Sequence, residues 1–240
     1  MNIDPEDREP LWEYNFGSDK KLRLYEVSVL LFLIVPSMAL SFFAVKQGAL
    51  SFVLVAWATI LRDAALVCLI LFFLWRNGEP AERVGWNFKN FWREVAVGVG
   101  LFIPLYFGAG LLENLLQKAG LSLPLTPVPS YMTPGDMPRI VLAVFLVTIV
   151  AVAEETIFRG YLIMRFQDLN AGAPAAIVLS AFIFSIGHGY EGTAGVITVG
   201  VMGLALALIY FWRQSLVAPM IMHCLVDFVS IVVLPVLGMR

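Results

Sequence analysis

From Val27 to Leu237 the chain is a succession of long apolar runs, separated by short stretches that hold most of its charge and proline. A helix needs roughly 20 apolar residues to cross the hydrocarbon core of a bilayer. Within that core every backbone polar group must be bonded internally. Hydropathy predicts seven spans, at about 27–45, 50–75, 94–112, 138–165, 173–190, 194–211 and 216–237. Composition agrees: 60% of the 240 residues are hydrophobic, 14% are charged, and the mean hydropathy is +0.83. Soluble domains carry about 25% charged residues, and the apolar excess here is too large for one buried core. The expected class is all-α: a polytopic membrane helix bundle of about seven transmembrane helices, within a range of six to eight. No internal repeat or second domain is visible. Residues 1–26 read as a polar N-terminal cytoplasmic segment, and residues 27–240 as the transmembrane helical domain, with its motif-bearing core at about 138–237.

The connecting stretches are informative. The N-terminus is polar and acidic, whereas a signal peptide would be basic and then apolar, so none is expected. Between the second and third spans, charges mix with Trp86, Phe88, Phe91 and Trp92, as suits a segment at headgroup level. Between the third and fourth, Pro124, Pro127, Pro129, Pro134 and Pro138 forbid a regular helix and predict a loop. With the N-terminus placed in the cytoplasm, that side holds eleven Lys and Arg (Arg8, Lys20, Lys21, Arg23, Arg76, Arg83, Lys89, Arg93, Arg159, Arg165 and Arg213). The opposite side holds four, Lys46, Lys118, Arg139 and Arg240. The excess predicts a multi-pass protein of the cell membrane with a cytoplasmic N-terminus. A net charge of −2 without a basic run gives no reason to expect a nucleic-acid partner. The two cysteines, Cys68 and Cys224, lie in apolar segments and suggest neither a disulfide nor a zinc knuckle.

An ionisable group at membrane depth costs several kcal/mol, so each needs a reason. The set is Arg62, Asp63, Glu154, Glu155, Arg159, His188, Glu191, His223 and Asp227, and it contains both histidines of the chain. On a helix, residues four apart share a face while neighbours diverge by about 100°. Glu155 and Arg159 are thus partners able to neutralise each other. Glu154 points elsewhere and must face a cavity, another helix or a ligand, where its carboxylate suits general acid–base work. His223 and Asp227 are likewise four apart, so the carboxylate can orient the imidazole. Phe184 lies one turn before His188 and can pack on its ring, and the glycines that follow predict a helix break there. Arg62–Asp63 reads as a structural or interfacial charge pair, and Glu191 as a polar rim residue. At about 1.5 Å per residue from the cytoplasmic side, Glu154 lies about 16 Å deep, His223 about 11 Å and His188 about 23 Å. Convergence then requires helix tilt or a fifth span that starts below the surface.

The segments "EETIFR" (154–159), "FSIGH" (184–188) and "HCLVD" (223–227) resemble the motifs EExxxR, FxxxH and HxxxN/D of the CAAX-protease and bacteriocin-processing family (CPBP, or Abi). Each motif alone is weak; the three in order, within apolar spans and using every histidine, are specific together. The resemblance implies an intramembrane endopeptidase in which Glu154 and His188 activate a water while His223 and Asp227 stabilise the oxyanion. Glu155, Arg159 and Phe184 would support them. Where the last motif residue is Asn its amide donates a hydrogen bond, whereas Asp227 donates only when protonated. The expected partners are the lipid bilayer and a membrane-associated protein or peptide substrate. Relatives' substrates range from prenylated tails to peptides and sorting-signal proteins; the residues do not choose among them, and a prenylated tail is not the first expectation. No cofactor is expected to be obligatory. The alternative is zinc held by Glu154, His188 and His223, two His and a carboxylate with water in the fourth position. A proton-coupled transporter would also use membrane Glu, His and Asp, though such proteins more often show repeats. A non-catalytic scaffold leaves the gathering of polar groups on three helices unexplained.

Overall fold

The computed structural model describes residues 20–47, 51–122 and 136–237. Among these the chain is helical, with no strand. The helices are α1 (Lys20–Gln47), α2 (Phe52–Arg76), α3 (Phe91–Lys118), α4 (Met137–Asp168), α5 (Ala173–Ile186), α6 (Gly192–Arg213) and α7 (Val217–Val236). Six are long and apolar enough to cross a membrane; α5, with 14 residues, is shorter. This is a multi-pass membrane protein of the expected all-α class. The proline-rich loop falls largely on residues 123–135, and most of the polar N-terminal segment on residues 1–19; both stretches lie outside the described residues.

Local signals set several boundaries. Ser51 caps α2, its hydroxyl accepting from the Leu54 N–H at 3.3 Å. Asp136 caps α4 by accepting from Arg139 N–H at 3.0 Å, with Pro138 in the first turn where its missing N–H costs nothing. Within the described residues the first helix already runs from Lys20, ahead of the apolar run at 27, and its first two turns bring Arg23 and Glu26 into a buried ion network.

That network ties one end of the bundle together. Arg165 on α4, with a fully buried side chain, reaches Glu26 of α1 at 2.9 Å, Glu79 at 2.6 Å and Asp168 at 2.9 Å. Arg23 meets Glu79 at 2.8 Å, Arg76 meets Glu26 at 2.6 Å, and the Tyr161 hydroxyl donates to Glu26 at 2.9 Å. Arg83 pairs with Glu79 and with Asp168. Removing one partner of such a buried set leaves an uncompensated charge, so α1, α2 and α4 are held in fixed register. Above it, Leu30, Ile70, Phe73, Phe158 and Leu162 fill the space between the same helices.

An interfacial elbow joins α2 to α3. It contains the 3₁₀ turn Ala81–Val84, followed by Gly85 at φ +84°, a conformation that glycine adopts without strain. Trp86 donates from Nε1 to Thr156 Oγ1 on α4 at 3.0 Å. On its other side, Gly85 O accepts from Leu216 N–H at 2.9 Å, and Asn87 O accepts from the Ser215 hydroxyl at 2.9 Å, just before α7. Trp75, Trp92 and Trp212 stay exposed beside Arg76, Arg93 and Arg213, the pattern of an interfacial aromatic belt.

Candidate active site

Two helices carry the acidic residues of the site, and both depart from α geometry at the same relative point. α4 widens to a π-helix over Glu155–Leu162, immediately after Glu154. α7 does so over Phe228–Val233, immediately after Asp227. Such π segments are rare and occur frequently at functional sites. The cause at α4 is visible: Gly160 runs so close to the elbow that a Cβ there would lie 2.5 Å from Val84 O. Thr156 meanwhile bonds both Val152 O at 2.7 Å and the Trp86 indole.

Glu155 and Arg159 pair as the spacing predicts, at 3.0 Å, both fully buried. Arg159 also lies over the Phe184 ring, 4.2 Å from its centroid, a cation–π contact. Gly203 on α6 makes the room, since a Cβ there would meet Phe184 at 3.2 Å and Arg159 Nη2 at 3.3 Å. Glu155 has a second partner that helix spacing does not reveal: its Oε1 stands 2.8 Å from His223 Nδ1. A carboxylate only accepts, so this bond puts the proton on Nδ1. Glu155, from a different helix, therefore holds the His223 ring, the position that spacing gave to Asp227.

The other ring nitrogen of His223, Nε2, faces two carboxylates at longer range. Glu154 Oε2 is 3.7 Å away and Asp227 Oδ2 is 3.5 Å away. Both distances exceed a direct hydrogen bond. The two acids are also the more open members, with side chains 18% and 24% exposed, against 0% for Glu155. Adjacent glutamates thus have different surroundings: Glu155 is locked between a guanidinium and an imidazole, and Glu154 opens onto a polar space.

His188 sits just beyond α5, in the turn that leads to Gly192 at φ +78°, where the glycines predicted a break. Its Nδ1 lies 3.0 Å from Phe184 O, and its ring is 4.8 Å from that of Phe184. The Phe184 ring is in turn 6.1 Å from that of His223. Phe184 therefore stands between the two histidines, and the depths that differ along the sequence are reconciled around it. His188 makes no hydrogen bond to Glu154 among the described residues. Among these residues, too, no three His, Cys, Asp or Glu side chains are placed to hold one metal ion as they stand, Glu154, His188 and His223 included. Cys68 and Cys224 are free.

Arg62 and Asp63 pair on α2 at 2.8 Å. Their position is less peripheral than the sequence suggests, because the charge of Glu154 interacts with both. The long-range pairs of the ion network and the Trp86–Thr156 bond were not legible in the sequence, since Arg23–Glu79 and Trp86–Thr156 join residues 56 and 70 positions apart.

The segment bearing Glu154, Glu155, Arg159, His188, His223 and Asp227 matches a family model. Residues 136–229 fit the family model described as Type II CAAX prenyl endopeptidase Rce1-like. This segment is similar to Rce1-like domains. It begins at the cap of α4 and ends just past Asp227, so it takes in all three motifs and the histidines. The description is that of an endopeptidase, which supports peptidase over transporter and agrees with the resemblance to CPBP proteins. No curated protein and no solved structure matches the chain.

Proposed function

We propose that the protein is an intramembrane endopeptidase that uses Glu154 as general base. The observation that carries this reading is the arrangement about His223: Nδ1 is fixed by Glu155 at 2.8 Å, and Nε2 faces Glu154 and Asp227 at 3.7 and 3.5 Å. Glu154 and Asp227 are also the partly exposed members of the group, with side chains 18% and 24% exposed, so water and a peptide carbonyl can approach them. Glu154 takes a proton from water, and the hydroxide adds to the carbonyl carbon of the scissile bond. With His223 doubly protonated among the carboxylates of Glu154, Glu155 and Asp227, the oxyanion that forms accepts from its Nε2–H. Asp227, when protonated, donates a second hydrogen bond. Preorganised donors of this kind contribute about 2.7–4 kcal/mol each to a transition state. Collapse breaks the C–N bond, and the leaving amine takes the proton that Glu154 holds. His188 lines the opposite rim, where it assists the water.

The substrate in this reading is a membrane-anchored peptide segment. The name of the matched family brings a C-terminal C-a-a-X tail forward among the alternatives. In this reading Glu154 activates the water and no metal is obligatory; zinc held by Glu154, His188 and His223 is the alternative. Purified protein assayed after stringent chelation tests it: retained cleavage supports the glutamate-activated water, and complete loss restored by zinc sinks that version. Glu154→Gln is the variant that tests the base. It is expected to purify as a folded protein with cleavage reduced at least a hundredfold, and unchanged cleavage would refute the assignment.

A further inference from the structure

Among the described residues, Arg62 is the one intramembrane cation whose role the proposed reaction leaves open. Counting along the helices from the ion network places it at the depth of the site. Glu154 is about 16 Å from Arg165 along α4, Ser37 about 16 Å from Glu26 along α1, and Arg62 about 21 Å from Arg76 along α2. α1 comes against the site here as well, since Met38 packs so closely on Gly187, beside His188, that a Cβ there would lie 2.8 Å from Met38 Cε.

The guanidinium of Arg62 is held rather than mobile. Nε donates to Asp63 Oδ1 at 2.8 Å, and Nη1 donates to Ser37 Oγ at 3.2 Å. Nη2 makes no hydrogen bond among the described residues, and the side chain is 40% exposed. Asp63, which anchors it, is buried, and its Oδ2 has no hydrogen-bond partner. A cation fixed on two sides and open on the third, near mid-membrane, is arranged to receive an acceptor.

The chemistry of the proposed reaction supplies one. A peptide cut close to its C-terminus carries a free carboxylate within a few residues of the scissile bond, at most about 10 Å along an extended chain. Bringing that carboxylate to membrane depth is costly unless a cation meets it. Two arginines interact electrostatically with Glu154, namely Arg62 and Arg159. Arg159 is buried, paired with Glu155 and covered by Phe184. Arg62 remains. The acids Asp63, Glu191 and Asp227, which interact with Glu154, disfavour a carboxylate placed among them.

We propose that Arg62, held by Asp63 and Ser37, binds the C-terminal carboxylate of the substrate and thereby sets which bond lies over Glu154. This rests on the peptidase reading. The test uses the purified full chain in nanodiscs and one lipid-anchored C-a-a-X peptide, made as the free acid and as the C-terminal amide. The acid is expected to show a KM at least tenfold lower than the amide. Arg62→Gln should remove that difference, Arg62→Lys should restore part of it, and Ser37→Ala, which deletes one anchoring bond, should reduce it. Binding is followed in parallel by fluorescence anisotropy on Glu154→Gln and on Glu154→Gln/Arg62→Gln. Cleavage of both peptides with one KM, or a preference that survives Arg62→Gln, overturns the carboxylate contact and leaves the peptidase reading intact. Selective binding of the acid by a wild-type protein that never cuts overturns the peptidase reading and leaves the contact standing. Neither binding nor cleavage of either peptide overturns both.

Discussion

At the residue scale, Glu154 and Glu155 are consecutive in sequence yet opposite in environment. Spacing alone assigned Glu155 to Arg159, and the structure contains that pair at 3.0 Å. Spacing could not find the 2.8 Å contact from Glu155 to His223, because 68 residues and two other helices intervene. The consequence is testable. Glu155→Gln removes the negative charge that serves both Arg159 and His223, so it should lower stability as well as activity. Breaking a buried pair costs about 3–5 kcal/mol, and a fall in the detergent melting temperature should accompany lost cleavage. Glu154→Gln should leave the melting temperature nearly unchanged. At the other carboxylate, Asp227→Asn keeps a group able to donate to the oxyanion, and Asp227→Leu does not. The first should retain cleavage within about tenfold, and the second should lose roughly a hundredfold or more; equal loss in both would point to a charge requirement at Asp227.

At the element scale, the site depends on how α4 and α7 are held. Both widen after their acidic residue, and the elbow between α2 and α3 touches both, through Trp86–Thr156 on one side and Gly85–Leu216 on the other. Gly160 permits the first approach by leaving Val84 O unobstructed. Gly160→Ala is therefore expected to push α4 off the elbow, at a cost of about 1–3 kcal/mol, the usual range for overpacking. Thermal unfolding read by tryptophan fluorescence would measure it; an unchanged melting temperature would mean the elbow yields without resistance. The seven predicted spans correspond to the seven helices, since a sustained apolar run is a local property. What hydropathy missed is that the fifth apolar run ends as a helix at Ile186. The glycines after His188 predicted a break, and at that turn Gly187 packs against the flexible end of Met38 on α1.

At the scale of the whole molecule, basic residues group in space as well as in sequence. Arg23, Arg76, Arg83 and Arg165 meet at one end, and Arg213 joins Glu94 there at 2.5 Å. Arg139 and Lys118 lie at the opposite ends of their helices. Arg159, counted by sequence with the first group, is buried within the site and belongs to neither surface. With the N-terminus in the cytoplasm, a single cysteine introduced at Lys89 in a chain lacking Cys68 and Cys224 should resist an impermeant thiol reagent applied outside intact cells. One introduced at Lys118 should react, and the reverse pattern would invert the topology. The ion network that organises this end should also be the most sensitive point for stability. Arg165→Ala should lower the melting temperature far more than Arg83→Ala, because Arg165 is fully enclosed and Arg83 is 39% exposed.

The sequence by itself determined the membrane class, the succession of helices, and the three short segments where polar chemistry is concentrated. These follow from apolar run length and from the fixed angle between helix neighbours, both of which act within a few turns of one chain segment. The tertiary structure alone decided that Glu155 holds His223, that Phe184 stands between the histidines, and that Arg62 is held between Asp63 and Ser37. Such contacts depend on the rotation and depth of each helix relative to the others. Those are set by buried charges, close glycine crossings and two π turns, which join residues far apart in the chain.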